Sequence, residues 1–309
     1  MGKIKTISES EINSLRAIKR LLTSYLENTA HESKPLAIAV FGPPGSGKSF
    51  TVKSIFKTLS GFAETLTQDS FIECNLSGYR DPENLSSVFD AARDMRLSGK
   101  IPVIFFDEFD CDLSGSKFFW LKQFLSPIQD GTFTSSFGSH PIGKSIFVFA
   151  GGICSTFSKF QSELEKSYNA GEKPSHKGRD FLSRLKGHID VDGITPMDDN
   201  DLPVDTAPEN YFNSADFRRY TFRRSIILRE LLKEHAGTVF SGNDEARISD
   251  SVIRAFLSEP GYKHGVRSME AIIRMSSIDR RFSAECLPRK AQLLMHASDR
   301  FCTATPGSH

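Results

Sequence analysis

Gly42-Pro43-Pro44-Gly45-Ser46-Gly47-Lys48-Ser49 places glycines, a lysine and a hydroxyl at the spacing G-x-x-x-x-G-K-[ST]. That spacing suits a phosphate. Glycines let the backbone curl so that successive N–H groups point inward at phosphate oxygens. A helix opening directly after the loop adds the positive end of its dipole. In such a loop Lys48 reaches the β and γ phosphates of a nucleotide, and the Ser49 hydroxyl binds Mg²⁺. The segment from Gly42 to Ser49, with Phe50 after it, is the candidate nucleotide-binding set. The alternative is a flexible Gly/Pro turn, and the apolar strand predicted before it and the helix predicted after it weigh against that.

A second constellation follows in Ile101-Pro102-Val103-Ile104-Phe105-Phe106-Asp107-Glu108, an apolar run ending in two acids. Asp107 falls at the carboxyl end of a buried strand, where ligands bind in open α/β sheets, and can hold a Mg²⁺ ion with its waters. Glu108 is then placed to polarise a water for in-line attack. Many buried strands end in an acid, so this pattern gains its weight from the Gly-rich loop before it. Asp110, a further acid nearby, reads as a loop residue approaching a helix.

The elements that must position these residues alternate. Helical spacing is expected over Ile12–Leu26, with Ser8 and Glu11 forming a capping box. Short apolar strands are expected at Leu36–Phe41, Phe71–Leu76, Ile101–Phe106 and Ile146–Ala150. Between and after them, helices are expected at Ser49–Leu59, Pro82–Ser98 (with Pro82 in its first turn), Phe118–Leu125 and Ser158–Tyr168. Thr132–Ser145 reads as a hairpin-like excursion with Gly138 and Ser139 at its tip. Alternation of this kind implies a parallel sheet covered on both faces. Residues 192–213 are rich in Asp and Pro and read as a loop between domains. From Ala215 onward the pattern is helical. The tail from Thr303 to His309 is small and polar, which reads as frayed.

Composition sets the frame. The chain has 309 residues, a formal net charge of +1 and 39% hydrophobic residues, which is globular. The near-neutral balance gives no global sign of nucleic-acid or membrane binding. Its five cysteines (Cys74, Cys111, Cys154, Cys286, Cys302) form no CxxC pair, and no histidine cluster has zinc-ligand spacing. Scattered single cysteines fit a reducing cytosol, so a cytoplasmic location is expected. No apolar run is long enough for a signal segment or a bilayer span. Met1-Gly2 and Thr6 fit the loose myristoylation pattern, whose short definition makes coincidence the simpler reading.

GPPGSGKS followed by a strand ending in Asp-Glu resembles the AAA+ superfamily of P-loop ATPases over roughly residues 35–280. Later segments are similar to the branch that includes the Clp-type protein unfoldases. Gln129-Asp130-Gly131-Thr132-Phe133 and Ser145–Gly152 resemble the hairpin and strand before that branch's sensor 1. Phe181-Leu182-Ser183-Arg184-Leu185, before a strand expected at His188–Val191, resembles its arginine-finger segment. Gly265-Val266-Arg267-Ser268-Met269-Glu270 resembles its sensor 2 box. The resemblance implies an αβα core with strand order 5-1-4-3-2, a C-terminal all-α lid, ATP/ADP and Mg²⁺ as ligands, and a ring, hexameric by expectation, acting on an unidentified protein.

Both arginines also have a physical reading. Arg184 stands among Phe181, Leu182 and Leu185 and should project from an otherwise buried face. Supplied by a neighbouring subunit, it would neutralise γ-phosphate charge; an ordinary surface arginine, or Arg179 as the finger instead, are the alternatives. Arg267 would sit in the first turn of a helix, where a cation opposes the dipole unless a phosphate is bound. The sequence departs from the family pattern in three places. The sensor 1 position is Gly152, with Ser155 or Thr156 as possible substitutes. Tyr79 lies where unfoldases carry a pore-loop aromatic, but its surroundings do not match, which favours a surface tyrosine. Residues 155–180 are longer than a bare connection needs. Arg218, Arg219, Arg223, Arg224 and Arg229 spread around a helix and read as a solvated lid face; nucleic acid is possible but not indicated.

The resulting map is an N-terminal helix (1–34), an ATPase core (35–195), an acidic linker (196–213), a helical lid (214–280) and an extension (281–309). Leu287–Met295 reads as a further packed element, so the natural chain can continue past His309. Three functions compete: a ring-forming remodelling ATPase, a switch-type ATPase that signals by its nucleotide state, and a P-loop kinase. The kinase fits least well with Asp107-Glu108 and a separate helical domain carrying Gly-x-Arg.

Overall fold

The computed structural model describes residues 6, 8–28, 34–62, 64–135, 138–169, 177–197, 215–242 and 244–305. The Met1-Gly2 pattern, most of the acidic linker and the end of the polar tail lie outside the described residues. The chain divides into two compact units, one holding Ser8–Pro43 and Gly47–Val191, the other Pro44–Ser46 and Asp192–His309.

The first unit opens with helix α1 (Glu9–Glu27), whose N-cap Ser8 accepts a hydrogen bond from the Glu11 amide. Leu15, Ile18, Leu22, Tyr25 and Leu26 bury one face of it. The strands and helices that follow are β1 (Leu36–Phe41), α2 (Lys48–Lys57), β2 (Phe71–Asn75), α3 (Asn84–Leu97) and β3 (Val103–Asp107). After these come α4 (Leu125–Gln129), β4 (Thr132–Ser135), β5 (Gly138–Pro141), β6 (Ile146–Ala150), α5 (Phe157–Asn169), α6 (Gly178–Leu182) and β7 (Gly187–Asp190).

Five strands form one sheet in the order β2-β3-β6-β1-β7, and every neighbouring pair is parallel. Counting only these core strands, that is the order 5-1-4-3-2. The two faces of the sheet are filled by different clusters. Ala37, Ala39, Phe41, Ile104, Phe106, Phe147 and Phe149 point into one. Leu36, Ile38, Val40, Val103, Phe105, Ile146 and Val148 point into the other. Side chains alternate across a strand, so a strand covered on both sides must be apolar at every position. That is why Leu36–Phe41 and Ile146–Ala150 are unbroken apolar runs. Phenylalanine does much of the filling on the first face, with Phe106 and Phe149 stacked at 5.2 Å and Phe106 and Phe124 at 4.6 Å.

Three local expectations change. Phe118–Leu125 is a 3₁₀ helix over Phe119–Phe124 that passes into α4, with Phe118 in the left-handed region at φ 51°. Burial of Phe118, Trp120, Leu121 and Phe124 decides that backbone over the α-helical period. Pro82 precedes α3 rather than opening it, its carbonyl accepting from the Leu85 amide. Gly138 and Ser139 are not a hairpin tip, because they pair with Ser135 and Thr134 in the antiparallel β4–β5 ladder.

The second unit is helical: α7 (Ala215–His235), α8 (Asp250–Ser258), α9 (Val266–Met275), α10 (Lys290–Leu293) and α11 (Asp299–Ala304). One cluster joins Leu228, Leu232, Val252, Phe256, Met269 and Ile272 to Phe282, Leu293 and Phe301. Its described residues carry isolated bridges but no strand. The arginine-rich helix departs from a solvated face. Arg224 is fully buried. Its Nε donates to the Ile194 carbonyl at 2.8 Å and its Nη1 to the Leu257 carbonyl at 3.0 Å. The guanidinium also lies over the Tyr262 ring, 5.6 Å from its centroid. Arg219 pairs with Asp192, and Arg229 with Asp244. Here a buried cation replaces the water that these carbonyls would otherwise need.

Arg224→Leu strands those carbonyls in a dry interior and should destabilise the chain by about 2–4 kcal/mol. Calorimetric unfolding checks it, with the exposed Arg218→Leu as the comparison. Equal melting temperatures for the two variants would count against the buried cation as an organiser.

Candidate nucleotide site

The ladder register aligns the carboxyl ends of the central strands. Asp107 is opposite Ala150, Ala150 opposite Val40, and Val40 opposite Ile189. Adjacent strands lie about 4.8 Å apart, so two steps of the ladder, about 10 Å, separate the backbone of Asp107 from that of Val40. The Gly-rich loop begins just past β1, at Gly42, and Glu108 and Gly151-Gly152 begin just past β3 and β6. Three chain segments that could handle a polyphosphate thus leave one edge of the sheet together.

The loop has the backbone its glycines permit. Gly42, Gly45 and Gly47 have φ of 158°, 73° and 90°, and Gly47 caps α2 from the left-handed region. Gly45 is also sterically fixed: a Cβ there would come within 2.3 Å of the His264 carbonyl oxygen. Both residues belong to the second unit as the chain divides, and in it the Val266 amide donates to the Gly45 carbonyl at 3.1 Å. Lys48 Nζ donates to the Gly42 carbonyl at 2.8 Å, a bond across the loop. Ser49 and Phe50 are exposed at the start of α2. Ser46 Oγ is buried and has no hydrogen-bond partner. A helix N-terminus behind a Gly-rich turn and the Lys48 ammonium are a donor set that fits phosphate oxygens.

On the acidic side, Asp107 Oδ1 accepts from the Glu108 amide at 3.2 Å. Glu108 takes φ 56°, a left-handed conformation that costs a non-glycine residue energy and persists only when its surroundings impose it. Those surroundings include Gly152, where a Cβ would come within 2.7 Å of Glu108 Cγ and 3.1 Å of its Cβ. Gly152 therefore cannot carry a side chain without moving Glu108. Thr156 is engaged at the start of α5, its Oγ1 accepting from the Lys159 amide at 3.2 Å.

Asp110 lies in the turn after β3, on the way to the 3₁₀ helix at Phe119. It is fully buried and accepts from three amides: Gly152 at 2.7 Å, Ile153 at 3.1 Å and Cys154 at 2.9 Å. Burial pushes its carboxyl pKa up, and the three amides pull against that. The one signal for it in sequence is an acid inside the otherwise apolar Phe109-Asp110-Cys111.

Arg184 does not project free from α6. It bonds to the Asp180 carbonyl and to Oε1 of Gln129, at the end of α4. Gln129 as its partner has no counterpart in sequence spacing. Arg179 is exposed and donates to both oxygens of Glu165, at 3.2 and 2.7 Å, which holds that carboxyl below its usual range. Tyr79 packs edge-on to Trp120 with ring centroids 6.3 Å apart, and burial with the neighbouring Cys74 pushes its hydroxyl up to about 12. It is therefore a docked side chain rather than a loose surface one. Arg267 is exposed at the second position of α9, in the second unit. No helix among the described residues is long and apolar enough to cross a membrane.

Comparisons with known proteins agree with this geometry at a coarse level. Residues 38–127 match the model of the ATPase family associated with various cellular activities, AAA. The chain is 23% identical to a Lon protease of Clostridioides difficile over 85% of its own length, and 26% identical to a Lon protease of Heliobacterium modesticaldum over 88%. It spans about a third of either relative, 35% of each. Neither is a Clp-type unfoldase, the branch suggested by the later motifs. Among solved structures, the fold is similar to the ORC2 protein of Aeropyrum pernix, solved as ADPNP-ADP complexes, with TM-score 0.51 and 13% identity over 98% of this chain and 68% of that one. It is also similar to NtrX of Brucella abortus in complex with ATP, again with TM-score 0.51 and 13% identity, over 93% of this chain and 54% of that one. The family match thus covers the Gly-rich loop and the Asp107-Glu108 segment, and the solved structures share the fold.

Proposed function

We propose that this chain binds Mg-ATP in the Gly42–Ser49 loop and hydrolyses it to ADP and phosphate, driving a conformational change in a macromolecular partner from within a ring of copies of itself. The observation that carries the reading is the shared sheet edge: the register sets the loop after β1, the acids after β3 and the bare Gly151-Gly152 turn after β6 side by side. Loop amides and Lys48 would hold the phosphates, and Ser49 and Asp107 would hold magnesium, which draws charge from the phosphate oxygens when bound. Glu108 would orient and deprotonate the attacking water. Arg267 would meet phosphate from the sensor 2 position, and Arg184 would act on the nucleotide of a neighbouring copy.

Two observations favour a second reading, a switch-type ATPase that signals by its nucleotide state without a ring. Arg184 is bonded within its own chain to Gln129, and Tyr79 is docked on Trp120, so neither waits free for a neighbour or a translocating chain.

Lys48→Ala removes the loop's cation and should weaken Mg-ATP binding about tenfold or more, as read by calorimetry. Unchanged affinity would sink the loop assignment. Glu108→Gln keeps the shape and loses the charge, so it should bind ATP normally and turn it over about a hundredfold more slowly. Turnover near wild type would remove Glu108 from the role of base.

Assembly separates the two readings. Arg184→Ala and Lys48→Ala should each be nearly inactive, but mixed under conditions of subunit exchange they should recover part of the turnover. Some interfaces of the mixed ring pair an intact loop with an intact finger. No recovery despite exchange, with a wild type that stays monomeric with nucleotide by light scattering, would decide for the switch.

A further inference from the structure

The acidic end of β3 has a support that the ATPase reading does not use. Asp110 is two residues past Glu108, and its carboxylate is spent entirely on the turn after β6: Oδ1 accepts from Gly152 and Oδ2 from Ile153 and Cys154. The Gly151 amide is held too, donating to the Val40 carbonyl at 2.9 Å, and position 151 has no room for a side chain, since a Cβ there would come within 2.7 Å of the Phe41 ring. Gly152, pinned in this way, presents a bare backbone surface against Cα, Cβ and Cγ of Glu108. Glu108 rests there in its left-handed conformation. The chain of contact runs from a buried carboxylate, through three amides, to the backbone of the acid proposed to act on water.

We propose that Asp110 is a positioning residue for the hydrolytic step, setting through the Gly152–Cys154 turn the orientation of Glu108. This rests on the ATPase reading and adds to it. The residue aligned with sensor 1 supplies no side chain in this protein, and the turn's amides are taken by Asp110. That turn's contribution to the reaction is therefore the shape of its surface, and from Gly152 to Cys154 its amides are held by one carboxylate. A small misplacement of a reacting group can cost about two orders of magnitude in rate while leaving ground-state binding alone. A purely structural clamp would instead move stability and nucleotide affinity with turnover, or leave turnover untouched.

The test uses the full chain and three variants: Asp110→Asn, Gly152→Ala and the double variant. Turnover at saturating Mg-ATP, affinity for a slowly hydrolysed ATP analogue and melting temperature are measured for each. Asn keeps the size of the side chain but replaces one acceptor oxygen with a donor that faces the turn's amides. The expected result is a loss of kcat of about tenfold or more in each single variant, with analogue affinity within about threefold of wild type. The double variant should be little worse than the worse single, because both act through one contact. Gly152→Ala leaves the Asp110 carboxylate in place, so it decides the matter if Asp110→Asn fails to fold. The positioning role is overturned if wild type hydrolyses ATP and Gly152→Ala or folded Asp110→Asn keeps its kcat. It is also overturned if affinity falls in step with kcat, or if the two losses multiply. A wild type that binds the analogue but turns over no ATP overturns the ATPase reading itself, and the role of Asp110 with it.

Discussion

Strand β6 is hydrogen-bonded to β1 on one side and β3 on the other, and the site depends on that double pairing. The two ladders fix Val40, Ala150 and Asp107 in one row. Because the strands are parallel, all three carboxyl ends emerge on the same edge, where chain turns must follow and where polar groups can reach solvent or a ligand. An antiparallel neighbour would have sent one of the three segments to the opposite edge. The pairing is in turn enforced by burial. With Ile146, Phe147, Val148, Phe149 and Ala150 all fully buried, a slip of one residue would exchange the sets that face the two clusters, putting Phe147 and Phe149 where Ile146 and Val148 fit.

The edge that results is asymmetric in its chemistry. After β1 the backbone curls and offers donors; after β3 it turns sharply and offers acceptors; after β6 the amides of Gly152, Ile153 and Cys154 are taken by Asp110. The left-handed Glu108 belongs to this arrangement. Its conformation would be disfavoured in a free turn, and what opposes its relaxation is the amide bonded to Asp107, the Ala150 carbonyl accepting from Phe109 at 3.3 Å, and Gly152 beneath it. Strain held by several contacts at the end of a buried strand is the common form of preorganisation at sites that handle charge.

The sequence made the sheet and its edge largely legible and left the support of that edge dark, for a physical reason. β1 and β6 were bounded to the residue because a strand buried on both faces has no polar position to blur it. The apolar run expected at Ile101–Phe106 starts two residues before β3 and ends one before it, since Ile101 and Pro102 are apolar and buried yet lie outside the ladder and Asp107 lies within it. The Gly-rich loop and Asp107-Glu108 were readable because their spacing is local. Asp110, Arg224 and the Arg184–Gln129 bond were not. Each is a polar side chain whose partner is a backbone or amide group tens of residues away, and composition gives the same pattern whether such a residue faces water or a buried carbonyl. Arg224 shows this most plainly: five arginines on one helix look uniformly solvated until distant carbonyls, those of Ile194 and Leu257, claim one of them.

The two arginines at the end of the first unit differ in a way that bears on which could serve a phosphate. Arg179 is exposed and already neutralised by a carboxylate that takes two of its donors. Withdrawing it would leave Glu165 behind, a like charge for any approaching phosphate, even though an exposed pair of this kind is itself worth little. Arg184 is half-buried and its side-chain partner is an amide. An amide oxygen orients a guanidinium without cancelling its charge, so the full positive field remains. Exchanging Gln129 for a phosphate would trade a neutral acceptor for a charged one, which a guanidinium binds more strongly and in a bidentate geometry. Gln129 and the Asp180 carbonyl thus hold Arg184 in a defined position without a carboxylate beside it. Of the two, Arg184 is the arginine that is not already paired with a carboxylate.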